Sequence, residues 1–205
     1  MNFYQRGFTL IEIAVVAVII SLIGVESAML AKTSLFGSKQ SYSALENSDT
    51  ARITAFRFLN EIRNATAGND GSYAINKADD FEIVFYSTFR AGASLVNRIR
   101  YYISENTLYK GVIEPAGNPL AYNLASEKIS IVQRDLANGA NPLFYYYDGD
   151  YDGTAGPLSQ PVNLTQIKFV RINLMVLKQT TQGSLANFSL NIGSAIRSLK
   201  TNLGS

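Results

Sequence analysis

An apolar run near the N-terminus constrains this chain more than any other feature. Residues 8–25 read FTLIEIAVVAVIISLIGV and carry one charge, Glu12, before Glu26. These eighteen residues would rise about 27 Å as a helix, close to the roughly 30 Å hydrocarbon core of a bilayer. Arg6 precedes the run, and no Lys or Arg follows until Lys32. The positive-inside rule therefore predicts a single-pass helix over residues 8–31, with the N-terminus in the cytoplasm and the remainder outside.

The length and charge of this run distinguish between kinds of N-terminal segment. A secretory signal peptide has a shorter apolar region, about 7–15 residues, followed by a small-residue cleavage site. A plain membrane anchor fits the length but gives no reason for Glu12, because an ionisable group in a spanning helix is costly and usually functional.

The residues around Glu12 add a specific motif. The string Gly7-Phe8-Thr9-Leu10-Ile11-Glu12 resembles the class III signal of type IV prepilins and type II secretion pseudopilins. The resemblance implies that residues 1–7 are a leader, that a prepilin peptidase cuts between Gly7 and Phe8, and that Phe8 is then N-methylated. Glu12 becomes the fifth residue of the mature chain, where this family keeps a glutamate.

The chemistry of Glu12 can also be argued without the family. After cleavage Phe8 carries a free amine, and a carboxylate in hydrocarbon costs much less when it is paired. In a helical stack, each Glu12 could meet the Phe8 amine of a neighbouring subunit, which would set the axial register. The alternative is that Glu12 snorkels to the cytoplasmic interface, about one turn away.

The remainder of the chain predicts an α+β head over residues 32–205. Residues 32–41 are polar, contain Gly37 and predict a break in the helix. Residues 42–67 return to a helical period. The predicted buried stripe is Ala44, Ala51, Ala55, Phe58, Leu59 and Ile62, opposite a polar face of Thr54, Arg57, Asn60, Glu61 and Asn64, with Ile53 off the stripe.

A period of two follows and predicts an antiparallel sheet. The expected strands lie near 81–86, 99–103, 108–112, 128–134, 143–147, 167–177 and 188–199, with the last two joined around Thr181-Gln182-Gly183. One long helix followed by strands is an α+β, pilin-like order.

Three elements of the head resemble the J-type minor pseudopilins and related minor pilins. They are Phe56–Ala65 (FRFLNEIRNA), Leu143–Asp148 (LFYYYD) and Ala195–Leu199 (AIRSL). The resemblance implies a minor subunit of a type IV pilus-like filament or a type II secretion pseudopilus. Its partners would be other pilins or pseudopilins and an inner-membrane assembly platform.

An acidic loop is the sharpest motif beyond the N-terminus. Asp148, Asp150 and Asp152, followed by Gly153, match the start of an EF-hand-type calcium loop. The usual Glu at the twelfth position is Ser159, so the loop is incomplete. Two interpretations stay open, a calcium site and a solvated turn rich in Asp and Gly.

The composition lowers the expectation of an enzyme or a nucleic-acid-binding protein. The chain has no His and no Cys, which removes the usual general base and the thiol nucleophile. A net charge of +2 with 17% charged residues gives no concentrated basic face. We therefore expect a structural protein. Calcium at the acidic loop is the one cofactor that the sequence suggests. The alternative is a membrane-anchored extracytoplasmic binding protein that carries a prepilin-like leader.

Overall fold

In the residues that the structure describes, one long helix is followed by eight strands. The computed structural model describes residues 9–88, 95–179 and 185–199. Helix α1 spans Leu10–Arg63, and all strand pairs within the two sheets are antiparallel. The predicted α+β class is confirmed.

Helix α1 is continuous over 54 residues. It begins after the N-cap Thr9 and ends before the C-cap Asn64. The break predicted over residues 32–41 is therefore wrong. A glycine inside a helix costs about 1 kcal/mol, whereas extending an existing helix adds a hydrogen bond for each residue fixed. Residues 32–41 contain no proline, and the segments on both sides are strongly helical. The helix therefore continues through these residues.

The strands form two sheets rather than the single sheet predicted from the sequence. The first sheet has the order β1-β2-β3-β4-β5 and the second the order β6-β7-β8. The bounds are β1 Ile75–Ala78, β2 Glu82–Ser87, β3 Asn97–Ser104, β4 Thr107–Ile113, β5 Lys128–Gln133, β6 Phe144–Tyr147, β7 Phe169–Gln179 and β8 Leu185–Ala195.

Most predicted strands are present, with corrections at two places and one connection that is not tested. Strand β1 was not predicted, and β8 ends at Ala195, after which Arg197–Leu199 forms a short 3-10 turn. The predicted connection at Thr181–Gly183 lies outside the described residues. The two sheets are joined by backbone bonds as well as by the helix. Leu143 N–H donates to the Asp80 carbonyl oxygen at 2.8 Å, and Leu177 N–H to that of Asp135 at 2.9 Å.

Phe58 on α1 lies at the centre of the core. Its ring centroid is 6.1 Å from that of Phe85, 5.3 Å from Tyr101 and 5.4 Å from Phe144. Phe85 and Tyr101 belong to the first sheet and Phe144 to the second. The predicted stripe members Ala51, Ala55, Phe58 and Ile62 are all fully buried. One face of α1 thus packs against both sheets and joins them.

Two polar residues of α1 are buried against the sequence-based expectation. Thr54 and Glu61 were assigned to the solvent face, but the Thr54 hydroxyl donates to the Val132 carbonyl oxygen at 2.8 Å. Glu61 is 8% exposed; it accepts from the Tyr101 hydroxyl at 2.8 Å and from the ammonium of Lys110, which is 4% exposed. Burial, with the Glu61 carboxylate beside it, raises the pKa of the Tyr101 hydroxyl well above its ordinary value.

We predict that Lys110→Met lowers the free energy of unfolding by about 3–5 kcal/mol, because Glu61 would stay buried without its counter-charge. Urea unfolding of the detergent-solubilised chain measures this. Lys128→Met is the matched control. Its side chain is 75% exposed and pairs with Glu114 at 3.3 Å, so we expect a change of about 0–1 kcal/mol. Equal effects of the two substitutions would contradict the prediction.

Candidate functional site

The N-terminal end of α1 is closed by a capping box. The Thr9 side chain accepts from the Glu12 N–H at 3.4 Å, and the Thr9 N–H donates to the Glu12 carboxylate at 3.4 Å. This arrangement satisfies backbone donors that have no partner inside the helix. A carboxylate in the first turn also interacts favourably with the helix dipole. Gly7 and Phe8, the predicted cleavage and methylation residues, lie outside the described residues.

The capping box gives Glu12 a local partner in the single chain. The partners predicted for Glu12 from the sequence were a neighbour's amine and the membrane interface, and Thr9 was missed. The signal was present in the sequence, since Thr and Glu three residues apart before an apolar run are typical of a capping box. Both bonds are long, so the carboxylate remains available to a stronger donor such as a free amine.

Beyond this cap, α1 presents apolar side chains on all sides. Leu10–Lys32 has a mean hydropathy of 2.5, none of it is buried by the rest of the chain, and it is long enough to cross a membrane. Ile11, Ile20 and Leu30 are among the many exposed large side chains. A helix that is apolar all round needs an apolar environment, either lipid or other helices.

The N-terminal residues also match a known family. Residues 2–25 match the model described as the prokaryotic N-terminal methylation motif. A comparison with curated proteins gave no match. The chain therefore carries a prepilin-type signal. This signal indicates a type IV pilin-like or pseudopilin-like precursor, which is processed by a peptidase and associates with the membrane and with other pilins. It points to a structural protein rather than an enzyme.

The acidic loop after β6 is a set of local turns. Asp148 accepts from the Asp150 N–H at 3.2 Å. One Asp152 oxygen accepts from the Thr154 N–H at 2.8 Å and the Thr154 hydroxyl at 2.7 Å. The Thr154 N–H bond is the main cause of a lowered pKa at the Asp152 carboxyl. Gly153 has a φ of +102°, a conformation that suits glycine.

Tyr151 holds this loop against the second sheet. Its ring centroid lies 4.0 Å from that of Tyr147 and 5.0 Å from that of Phe169, and its hydroxyl accepts from the Arg171 guanidinium. No role was predicted for Tyr151 or Arg171 from the sequence. The available signal was the position of Tyr151 between two aspartates, because a large aromatic side chain in an otherwise polar loop indicates that its ring packs against the rest of the protein.

The metal expectation for Asp148, Asp150 and Asp152 remains a prediction. In the ranges that the structure describes, no group of three or more His, Cys, Asp or Glu side chains is placed to hold a metal ion. Calcium binding would require the three carboxylates to converge, and one Asp152 oxygen is already hydrogen-bonded to Thr154.

A shallow cleft of ≈ 740 Å³ lies where β2 and β3 approach Gln160 and Pro161. Among its charged groups, Asp79, Glu82 and Arg100 form ion pairs, and Asp80 accepts from the Gln160 side-chain amide at 3.0 Å. Arg100 contacts Glu82 at 2.6 Å, and its guanidinium lies 3.9 Å from the centre of the Tyr102 ring.

The calcium prediction is tested by the melting temperature of the full chain in detergent, with calcium and with chelator. Metal bound by the folded state alone stabilises it by about 2.7 kcal/mol at one hundred times Kd. If the three aspartates share an ion, calcium raises the melting temperature, and Asp150→Ala removes the rise. Equal melting in both buffers would leave the loop as a polar turn. Glu114→Ala, at an exposed position outside the loop, serves as the control for a general effect of lost charge.

Proposed function

We propose that this protein is a minor structural subunit of a type IV pilus-like filament or a type II secretion pseudopilus. It assembles through its N-terminal helix after leader cleavage. The observation that carries the proposal is the continuity of α1. One helix runs from the exposed apolar segment, which overlaps the methylation motif, into the core of the head.

The apolar segment supports assembly because it can exchange lipid for protein. Lipid tails are as apolar as leucine side chains, so replacing lipid by neighbouring helices changes the hydrophobic free energy little. The subunit can therefore leave the membrane for a filament at small cost. Polar partners then decide how subunits align, and Glu12 is the carboxylate within residues 8–25.

The proposed topology places residues 1–7 in the cytoplasm, 8–31 in the inner membrane and 32–205 outside it. Arg6 before the span supports this orientation. The proposed partners are a prepilin peptidase, other pilins or pseudopilins and an inner-membrane assembly platform. Because α1 continues through residue 32, the proposed boundary between span and head lies inside one helix.

The assignment as a J-like minor subunit rests on three elements that pack together in the head. Phe58 of the first contacts Phe144 of the second, with 5.4 Å between ring centroids. Ser198 of the third donates its hydroxyl to the Ala65 carbonyl oxygen of the first at 2.6 Å. Because the first element contacts both of the others, we treat the three as one structural unit rather than three separate similarities.

Processing is the first test. In cells with an active prepilin peptidase, we expect the intact mass of membrane-extracted protein to correspond to a chain that begins at Phe8 with a methylated amine. Gly7→Ala should leave most of the chain uncut, because the peptidase is expected to need a residue with almost no side chain there. A chain that still begins at Met1 in such cells would contradict the proposal.

Glu12→Gln tests the charge separately from the cap. Glutamine also completes a capping box, so the helix should begin normally and insert into the membrane. We expect incorporation into filaments to fall because the pair with the Phe8 amine is lost. Thr9→Ala is the reverse control: it removes the cap, at a cost of about 0.5–2 kcal/mol, and keeps the charge. Filament yield and membrane fraction are measured for both.

If Glu12→Gln enters filaments as well as the parent while Thr9→Ala does not, the cap rather than the intersubunit pair is the role of Glu12. A membrane-anchored binding protein would be insensitive to both substitutions in its head function, which distinguishes that alternative.

A further inference from the structure

The part of α1 that belongs to the head carries two exposed apolar residues, flanked by polar ones, on its outer side. Ile53 is 60% exposed and Phe56 is 59% exposed. Asp49 and Asn60 are exposed on the same side. We call Asp49, Ile53, Phe56 and Asn60 the outer stripe. Their spacing of four, three and four is that of a coiled-coil seam, and it lies opposite the buried Ala51, Ala55, Phe58 and Ile62.

Lipid cannot reach the outer stripe. Ile53 lies 21 positions beyond Lys32, the end of the apolar span, which is about 32 Å along the helix. The headgroup region extends only about 5–8 Å beyond the hydrocarbon core, and a typical tilt of about 20° changes the height little. A protein surface is therefore the natural partner of these two side chains.

Arginines border the outer stripe on both sides. Arg52 and Arg57 occupy the positions that correspond to g and e when Ile53 is assigned to a, and both are exposed. Arg52 lies over the Phe188 ring at 5.6 Å from its centre. Arg63, also exposed, occupies the next seam position after Asn60. In the described part of the chain, none of these arginines forms a salt bridge with a carboxylate.

We propose that the outer stripe docks a parallel helix of a different subunit, whose own apolar stripe is bordered by Asp or Glu. Chains anchored in one membrane by N-terminal helices point the same way, so their helices meet in parallel; in this respect the inference rests on the proposed function. A second copy of this chain fits poorly. In a parallel pair, g of one helix faces e of the other, so Arg52 would face Arg57, and Arg63 would meet its counterpart.

The chain offers a direct test because one substitution should make self-pairing more favourable, even though Arg63 still faces its counterpart. In Arg57→Glu, Arg52 of each copy faces the introduced carboxylate of the other, so both border pairs become attractive. The chain has no cysteine, so Asn60→Cys in the seam reports pairing without background. A disulfide needs Cα atoms within about 7 Å, so among parallel pairs only one that is in register can form it.

Full-length chains with Asn60→Cys are reconstituted in phosphatidylcholine vesicles and mildly oxidised. We expect about ten-fold more cross-linked dimer for Arg57→Glu than for the parent arginine, equivalent to about 1.4 kcal/mol. High salt should reduce the difference, because exposed charges are screened. Ile53→Ser with Phe56→Ser in the Arg57→Glu background should abolish cross-linking, with thermal melting showing that the head remains folded.

Two controls match this design. Arg134→Glu changes the charge equally at an exposed site outside α1 and should leave cross-linking at the parent level. Ser159→Cys, exposed and away from the stripe, should not cross-link in either charge background. Flotation of the vesicles measures anchoring separately, so its loss would count against the proposed function and the docking together. A floating chain whose cross-linking is the same with and without the Arg57→Glu substitution, or is absent in both cases, overturns the docking alone.

Discussion

The contact of Phe58 with rings from both sheets is the interaction on which the head depends. Phe85 and Tyr101 belong to the first sheet and Phe144 to the second, so one side chain of α1 touches both layers. The two sheets are therefore held together by packing on the same helix rather than by strands that pair across them. Because the same helix continues to Leu10, the orientation of the exposed apolar segment is fixed by packing inside the head.

Local patterns in the sequence predicted local structure well and its interruptions less well. The alternation that marks β3 was readable because buried and half-buried residues follow each other. Strand β2 alternates in its sequence but is buried along almost its whole length. Strand β1 was missed because only its end residues, Ile75 and Ala78, are buried. The helix break was wrong because residue preferences describe single positions, whereas a helix forms cooperatively. Two sheets were read as one, since periodicity says nothing about which strands pair.

In the candidate site, too, features formed by neighbouring residues were predicted and contacts between distant residues were not. The signal around Gly7 to Glu12 is contiguous and was recognised from the sequence, and it is matched by the methylation motif over residues 2–25. Glu61 was assigned to solvent because a helical period shows only on which side of the helix a residue lies. It does not show that Lys110 and Tyr101, which are distant in the sequence, bind the carboxylate on that side. Tyr151 was overlooked for a similar reason. Its partners Phe169 and Arg171 come from a strand about 20 residues later in the chain.

The unbroken helix also has a mechanical consequence. At about 1.5 Å per residue, the 54 residues of α1 form a rod about 81 Å long. A force applied at its N-terminal end is transmitted to the head through one continuous helix. The force acts parallel to the buried face that contains Ala51, Ala55, Phe58 and Ile62. Contacts loaded in this direction share the force at the same time, in shear, rather than opening one after another as in peeling. The buried Glu61–Lys110 pair lies at the far end of this face. We therefore expect the head to move with its helix as one body under such a load, as the proposed assembly requires.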